Sequence, residues 1–197
     1  MKVKNHGNSC FEFRSKNTKL ITNPKGEGVK VNLKRFSPDI VVLSRAEKTN
    51  EDDYYLITSP GEYEVKDIFV YGYLSSLEKG EIEQADTYLF DIEDVHLCMI
   101  DKSVKSLRAS VLDELGIVDV LFVSLAEDSR MKLTKITDLV NKIEPYIVVP
   151  MDYTKKTLDD LIKVMGVKEM ENEKVLDIKK GDFGDEEAPM RFVVLEK

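Results

Sequence analysis

The first part of the chain alternates short apolar runs with polar, glycine-rich or proline-containing breaks. The runs are rich in β-branched and aromatic residues, which favours strands. They are "MKVKNH", "CFEFRS", "KLITN", "DIVVLS", "YYLITS", "DIFVYGYLS", "TYLFDIE" and "VHLCMID". The breaks "SPGEYEVKD" and "DIEDVH" are predicted to be hairpin connections. The pattern therefore predicts a series of short strands up to about residue 100.

The second part of the chain changes to a helical period. Apolar residues recur at helical spacing in "KSLRASVLDELG", "RMKLTKITDLVNKI" and "TLDDLIKVMG", the last with Thr157 as N-cap and Gly166 at its end. Apolar strands separate or follow these helices, in "VDVLFVSL", "YIVVPM", "KVLDIKKG" and "MRFVVLE". Strands followed by strand–helix alternation predict a layered α/β sandwich with mixed sheets. No repeat or linker divides the chain, so we expect one domain over residues 1–197.

Charge and cysteine content narrow the class of protein. The net charge is −8, and the basic runs are short, so we expect neither nucleic acid nor a membrane surface as a partner. No segment has the composition of a signal peptide or a membrane span, which predicts a cytoplasmic protein. The two cysteines, Cys10 and Cys98, lie in apolar strand-like segments and are predicted to be buried free thiols.

Four segments carry a resemblance to a known family: "GNSCFEF", "LITNP", "SPGEYEVKDIFVYGYLSS" and "IEPYIVVPMDY". Together they resemble the metallo-β-lactamase superfamily, in particular its small stand-alone zinc-dependent hydrolases related to ascorbate-6-phosphate lactonase. The resemblance extends over almost the whole chain and implies a four-layer αββα sandwich. It also implies a site built from GHS, a DP turn, (S/T)HxHxDH after a buried strand, a third histidine, a GD element and PMHY.

The metal-binding residues of that pattern are replaced in this chain. In that pattern an aspartate that bridges the metal ions is expected after "HLCMI". A gapless match to the family puts Lys102 at this position, although Asp101 is one residue away. GHS and DP become "GNS" and "NP", with Asn8 and Asn23 at the changed positions. The former metal-site positions implied by the resemblance hold Arg45, Glu47, Thr49, Asn50, Leu77, Lys102 and Asp152.

These replacements change the chemistry that the site can support. Zinc is held by imidazole nitrogens, thiolates and carboxylates, whereas Arg45 keeps its proton and Leu77 has no lone pair. The only histidines, His6 and His96, lie in strand-like segments and are predicted to be structural. We therefore expect no zinc and no other cofactor.

Two hypotheses about the vacated site follow from the sequence. In the first, the side chain of Arg45 or Lys102 fills the metal volume and pairs with Asp152, Asp101 or Glu47. In the second, an all-oxygen set retains Mg²⁺ or Ca²⁺. Its candidate ligands are Glu47, Asp52, Asp53, Asp101 and Asp152.

Two classes of function remain open at this point. One is a non-catalytic protein, a pseudoenzyme that acts as an interaction or binding subunit, with an active relative or a second copy as its partner. The alternative is a divergent metal-dependent hydrolase with a carboxylate-rich site. A further possibility is a cleft that binds an anionic small molecule through Arg45 and Lys102 without turnover.

Overall fold

The computed structural model describes residues 1–26, 28–29, 31–44, 53–75, 84–184 and 188–197. Within these ranges, two mixed β-sheets pack face to face and carry helices on their outer faces. This is the α/β, four-layer αββα architecture that the sequence predicts.

The first sheet is formed mainly by the amino-terminal strands. Its described strands run in the order β13–β1–β2–β3–β4–β5. The pairs β3–β4 and β4–β5 are parallel and the others are antiparallel. The bounds are β1 (Lys2–Gly7), β2 (Cys10–Arg14), β3 (Lys19–Thr22), β4 (Ile40–Val42), β5 (Tyr55–Ile57) and β13 (Leu176–Asp177).

The second sheet changes from antiparallel to parallel pairing along its width. In the described residues its order is β12–β14–β11–β10–β9–β8–β7–β6. Pairing is antiparallel from β6 to β9 and parallel from β9 onwards. The bounds are β6 (Gly61–Val65), β7 (Ile68–Tyr73), β8 (Thr87–Ile92), β9 (Val95–Ile100), β10 (Val120–Ser124), β11 (Ile147–Met151), β12 (Glu171–Glu173) and β14 (Arg191–Leu195).

Helices form the two outer layers. On the second sheet they cover an apolar face that includes Cys98 and Leu121. On the first sheet, Leu33 and Phe36 of a single helical turn pack over buried Cys10. The helices are α1 (Leu33–Phe36), α2 (Ala109–Leu115), α3 (Leu133–Ile143) and α4 (Lys155–Met165), with a 3₁₀ turn at Lys180–Asp182.

The main core lies between the two sheets and is rich in aromatic rings. The ring centroids of Phe13 and Phe90 are 5.3 Å apart, and those of Phe11 and Phe122 are 4.9 Å apart. All four side chains are fully buried. Cys10 and Cys98 are buried free thiols, as predicted. Burial raises the pKa of the Cys98 thiol to about 12, so it remains protonated at neutral pH.

Two sequence predictions of local structure were wrong. Most of "SPGEYEVKD" is not a connection but strand β6, and the hairpin turn consists of Lys66 and Asp67 alone, both with positive φ. The alternation of polar and apolar residues in Gly61–Val65 was the overlooked strand signal. In addition, "KVLDIKKG" is a strand only at Leu176–Asp177, after which the chain turns into the 3₁₀ segment.

The predicted N-cap of α4 is also corrected. The cap is Thr154, and Thr157 is the third residue of the first turn. The Thr157 amide donates to Thr154 Oγ1 at 3.3 Å, and the Thr154 amide donates to Thr157 Oγ1 at 3.0 Å. This reciprocal capping box satisfies two amides, so both threonines stabilise the helix start. Gly166 ends the helix in the left-handed conformation, as predicted.

No helix in the part of the chain that the structure describes is both long and apolar enough to cross a membrane.

Candidate functional site

A cavity of about 280 Å³ lies at the carboxyl ends of the central strands. Four residues singled out from the sequence line it: Asn8, Asn23, Lys102 and Asp152. They follow β1, β3, β9 and β11 respectively. Their convergence reflects the general rule that in open α/β sheets residues at the carboxyl ends of strands meet in one crevice.

The backbone at three of these positions is left-handed. The φ angles are 51° at Asn8, 41° at Asn23 and 54° at Asp152. Among non-glycine residues, asparagine, aspartate and histidine are the ones enriched in this conformation. The fold therefore favours this small group of side chains here even without a ligand, and the replacements in this chain stay within that group.

The first sheet supplies a neutral hydrogen-bond network centred on Asn23. Its Nδ2 donates to Ser44 Oγ at 3.0 Å and to Ser9 Oγ at 3.2 Å. Its Oδ1 accepts from the Ser44 backbone amide at 3.0 Å. All three residues are buried. An aspartate here would lack the two donated hydrogen bonds, so the amide side chain is matched to its hydroxyl neighbours.

Asp101 connects this network to the second sheet. Its Oδ2 accepts from Ser44 Oγ at 2.9 Å, and its Oδ1 accepts from the Ser103 amide at 2.9 Å. Asp101 is 3% exposed and is not part of the cavity lining, whereas Lys102 is. Of the two candidates for the former bridging position, Lys102 therefore lines the cavity, whereas Asp101 belongs to the buried network that includes Asn23 and Ser44.

The second sheet supplies a charged wall. The Lys102 ammonium contacts the carboxylate of Asp128, and Asp152 Oδ2 accepts from Ser124 Oγ at 2.9 Å. Glu127 and Asp128 line the same cavity, although the sequence reasoning did not single them out. They lie in the loop that follows β10, a strand whose two neighbours, β9 and β11, run parallel to it. That position was the signal that could have identified them.

Several predicted site residues lie outside the described residues. They are Arg45, Glu47, Thr49, Asn50, Asp52 and Leu77. The predicted pairing of Arg45 or Glu47 with another group therefore stays a prediction. Asp53 is described, and it lines a separate cavity of about 590 Å³ together with Tyr54.

The two histidines of the chain lie away from the cavity. His6 Nε2 is 3.0 Å from Glu12 Oε2 on the first sheet. Burial acts to raise the pKa of Glu12, but hydrogen bonds from His6 and Arg14, together with their charges, lower it below its usual value. His96 Nδ1 is 3.8 Å from Asp119 Oδ2 at the start of β10.

The residues at the cavity do not fit the zinc site that the family pattern implies. The whole sequence has two histidines, both placed elsewhere, so no imidazole is available at the cavity. Within the described ranges, no three histidine, cysteine or acidic side chains are grouped so that they could hold a metal ion. Of the former metal-site positions that the structure describes, Lys102 offers an ammonium, which cannot bind a cation, and Asp152 offers a carboxylate without an imidazole beside it. We derive no catalytic step through a metal.

A second buried carboxylate lies close to Asp101. Asp86 accepts hydrogen bonds from the Ser75 amide at 2.9 Å and from the Ser75 hydroxyl at 2.6 Å. Burial raises its pKa, and the nearby Asp101 carboxylate adds to that effect, although the hydrogen bonds oppose it. Asp86 could not be singled out from the sequence, because its burial depends on how β7, β8 and β9 pack together.

Comparison with known proteins gives the family context. The family model described as "Beta-lactamase superfamily domain" matches residues 2–152, which is more than half of the chain. No curated protein matches.

Three solved structures with similar folds are distant in sequence. One, from Thermotoga maritima, has the proposed activity of a zinc-dependent hydrolase of the metallo-β-lactamase superfamily. It is 19% identical, has a TM-score of 0.76 and aligns over 98% of this chain and 97% of its own. The metallo hydrolase Igni18 from Ignicoccus hospitalis is 13% identical, with a TM-score of 0.63 over 90% and 99% of the two chains. The metallo-β-lactamase fold protein YhfI from Bacillus subtilis is 11% identical, with a TM-score of 0.62 over 100% and 96%. At these identities the likeness establishes the fold alone.

Proposed function

The chain belongs to the metallo-β-lactamase superfamily, and from that premise we propose that it is a non-catalytic member, a pseudoenzyme that acts as an interaction or binding subunit. Under this proposal the protein binds no cofactor. Its partner is an active relative, another protein or a second copy of this chain. The proposal concerns the chemistry of the cavity, since the fold by itself is compatible with many functions.

One observation carries this proposal: the composition of the cavity wall. Asn8, Asn23 and Lys102 line the cavity. By the resemblance they match positions at which the family pattern has histidine or aspartate, with Asp101 as the alternative to Lys102. Both histidines of the chain lie elsewhere. Metal-activated water is the nucleophile when such a site is loaded with zinc. This wall instead offers the amide of Asn23, which bonds to neighbouring hydroxyl groups, and a lysine that contacts a carboxylate.

The second candidate is a divergent hydrolase with an oxygen-ligated ion. It is favoured by the carboxylates of Glu127, Asp128 and Asp152, which line the cavity, although no three such side chains among the described residues are grouped so that they could hold an ion. Mg²⁺ and Ca²⁺ accept such ligands. Against it, Lys102 contacts Asp128 and would repel a dication.

Metal analysis separates the two candidates. The protein is purified without chelator and without a metal-affinity column, and its Zn, Fe, Mg and Ca contents are measured by plasma mass spectrometry. We expect no stoichiometric ion, and no rise of the unfolding temperature when Zn²⁺, Mg²⁺ or Ca²⁺ is added in excess, since an ion that binds the folded state would raise it.

Two variants make this measurement decisive. A near-stoichiometric ion that is lost in Asp152→Ala, but retained in Asp159→Ala on the exposed side of α4, would overturn the non-catalytic proposal.

Light scattering of the purified protein measures its mass in solution and distinguishes a monomer from self-association.

A further inference from the structure

Strand β6 is the edge of the second sheet in the described part of the chain. It pairs with β7 on one side and has no described strand on the other. Glu62 and Glu64 are exposed, whereas Tyr63 points between the sheets and is partly buried. An exposed strand edge presents unpaired backbone groups and is a template for another extended segment.

The outer face beside this edge combines aromatic and acidic side chains. The register places Glu62 beside Tyr71 and Glu64 beside Phe69, and the next strand places Asp91 beside Phe69. Directly paired residues share a face of the sheet. Phe69 is 38% exposed, so part of its side chain is accessible on this face.

The electrostatic environment of this face is negative. The pKa of Tyr73 is raised to about 12, first by burial and then by nearby groups that include Glu114 and Glu62. Two described cations next to the β6–β7 hairpin have partners of their own. Lys66 contacts Asp39, and Arg108 donates to the carbonyl of Leu74 at 2.8 Å. A partner with positive charge would therefore be attracted to this face.

A second copy of the chain is a poor occupant of this edge. Antiparallel pairing of two β6 strands centred on Tyr63 would place Glu62 of one copy opposite Glu64 of the other. Like charges in directly opposed positions destabilise a strand pair. Lysine or arginine at those opposed positions would instead form favourable cross-strand pairs, and their cationic groups could also contact the Phe69 ring.

We propose that the β6 edge and its outer face bind an extended, basic segment of a partner protein by strand addition. Backbone hydrogen bonds to β6 provide the register, and Glu62, Glu64 and Phe69 select alternating lysine or arginine side chains. This inference rests on the proposed function, because it gives the interaction subunit its contact surface, but the surface is separate from the cavity.

A designed peptide tests this surface directly. The probe is acetyl-VKVKVKV-amide, and the control is acetyl-VKVKPKV-amide, which has the same charge but lacks a backbone donor and resists extended pairing. We expect the probe to shift the backbone amide resonances of residues 61–73 in NMR spectra, and its affinity to fall as salt is raised. The proline peptide should bind more weakly. Absence of probe binding, or shifts confined to other regions, overturns the proposal.

Matched variants distinguish a specific face from general attraction. Glu62→Gln with Glu64→Gln should weaken probe binding roughly threefold to tenfold. Asp159→Asn with Asp160→Asn, which removes the same charge from exposed positions on α4, should leave it unchanged. Equal weakening in both double variants would show attraction by net charge only and would overturn the proposal.

The peptide and metal experiments fail independently. If the protein holds a metal yet binds the probe at β6, the non-catalytic proposal falls and the docking surface stands. If it holds no metal and does not bind the probe, the docking surface falls alone.

Discussion

Two polar regions of this molecule differ in how their groups are satisfied. Beneath the cavity, Ser9, Asn23, Ser44 and Asp101 are buried and bond to one another across the two sheets. At the β6 edge, the acidic side chains face solvent beside a partly exposed phenylalanine. Polar groups of the first kind hold the fold together, because an unpaired buried group is costly. Charges of the second kind add little to stability and are available for recognition.

This contrast makes opposite predictions for the two regions. Substitutions beneath the cavity should lower stability and leave peptide binding at β6 intact. Substitutions at β6 should weaken peptide binding and leave stability almost unchanged. Four measurements follow, in order of decreasing expected effect.

The largest effect is expected from Asn23→Asp, which introduces the residue of the family pattern. It removes the donors to Ser9 and Ser44 and adds a buried carboxylate to a network that already contains Asp101. We expect the free energy of unfolding in urea at pH 7 to fall by about 2–4 kcal/mol. Asn172→Asp on exposed β12 is the control, and equal stability of both variants would break the contrast.

A smaller, pH-dependent effect is expected from Asp86→Asn. The pKa of Asp86 is raised in the folded state, so its contribution to stability is fully present below its unfolded pKa and is lost as pH rises through the folded pKa. The stability of the wild type relative to the variant should therefore increase as pH is lowered from 7 to 4. Unfolding curves at each pH measure this difference. The same exchange at exposed Asp94 is the control, and a difference that does not change with pH would contradict the assignment.

A still smaller effect is expected at the cavity rim. The side chains of Lys102 and Asp128 are 31% and 69% exposed, so solvent screens their attraction. A double-mutant cycle with Lys102→Met and Asp128→Asn should give a coupling of about 0.5 kcal/mol that shrinks in high salt. A coupling free energy several times larger would mean that Lys102 and Asp128 act as part of the buried hydrogen-bond network and not as an exposed ion pair.

The smallest effect on stability is expected at the edge strand. Glu62→Gln with Glu64→Gln should change the free energy of unfolding by less than about 0.5 kcal/mol, since both side chains are exposed. Urea unfolding provides the measurement. A loss well above that value would mean that these glutamates serve the fold, and the two regions would no longer differ.

The sequence predicted the layered fold well because its signals are local. The apolar runs of β4, β10 and β11 and the helical spacing in α3 each indicate one element, and the hairpin at Glu93 and Asp94 was placed correctly. Wrong boundaries occurred where the local signal is short, so that pairing with a neighbouring strand decides the outcome. The strand at Gly61–Val65 carries two exposed glutamates and depends on its pairing with β7.

Parts of the site were also predictable. The convergence of Asn23, Lys102 and Asp152 on one cavity follows from their places at strand ends. The contact of Lys102 with Asp128 and the burial of Asp86 were not predictable, because each depends on side chains from separate strands meeting in space. The spacing of residues along a single strand does not predict contacts between side chains of different strands.

The placement of β13 and β14 has a mechanical consequence. Strand β13 pairs with β1 in the first sheet, and β14 pairs with β11 in the second sheet. The stretch that follows Asp152 therefore contributes strands to both sheets. Detachment of this stretch would remove backbone pairing from both sheets at once. The family match ends at residue 152. A chain that ended there would lose strand pairing from both sheets, so the folded unit extends beyond the residues that the family model matches.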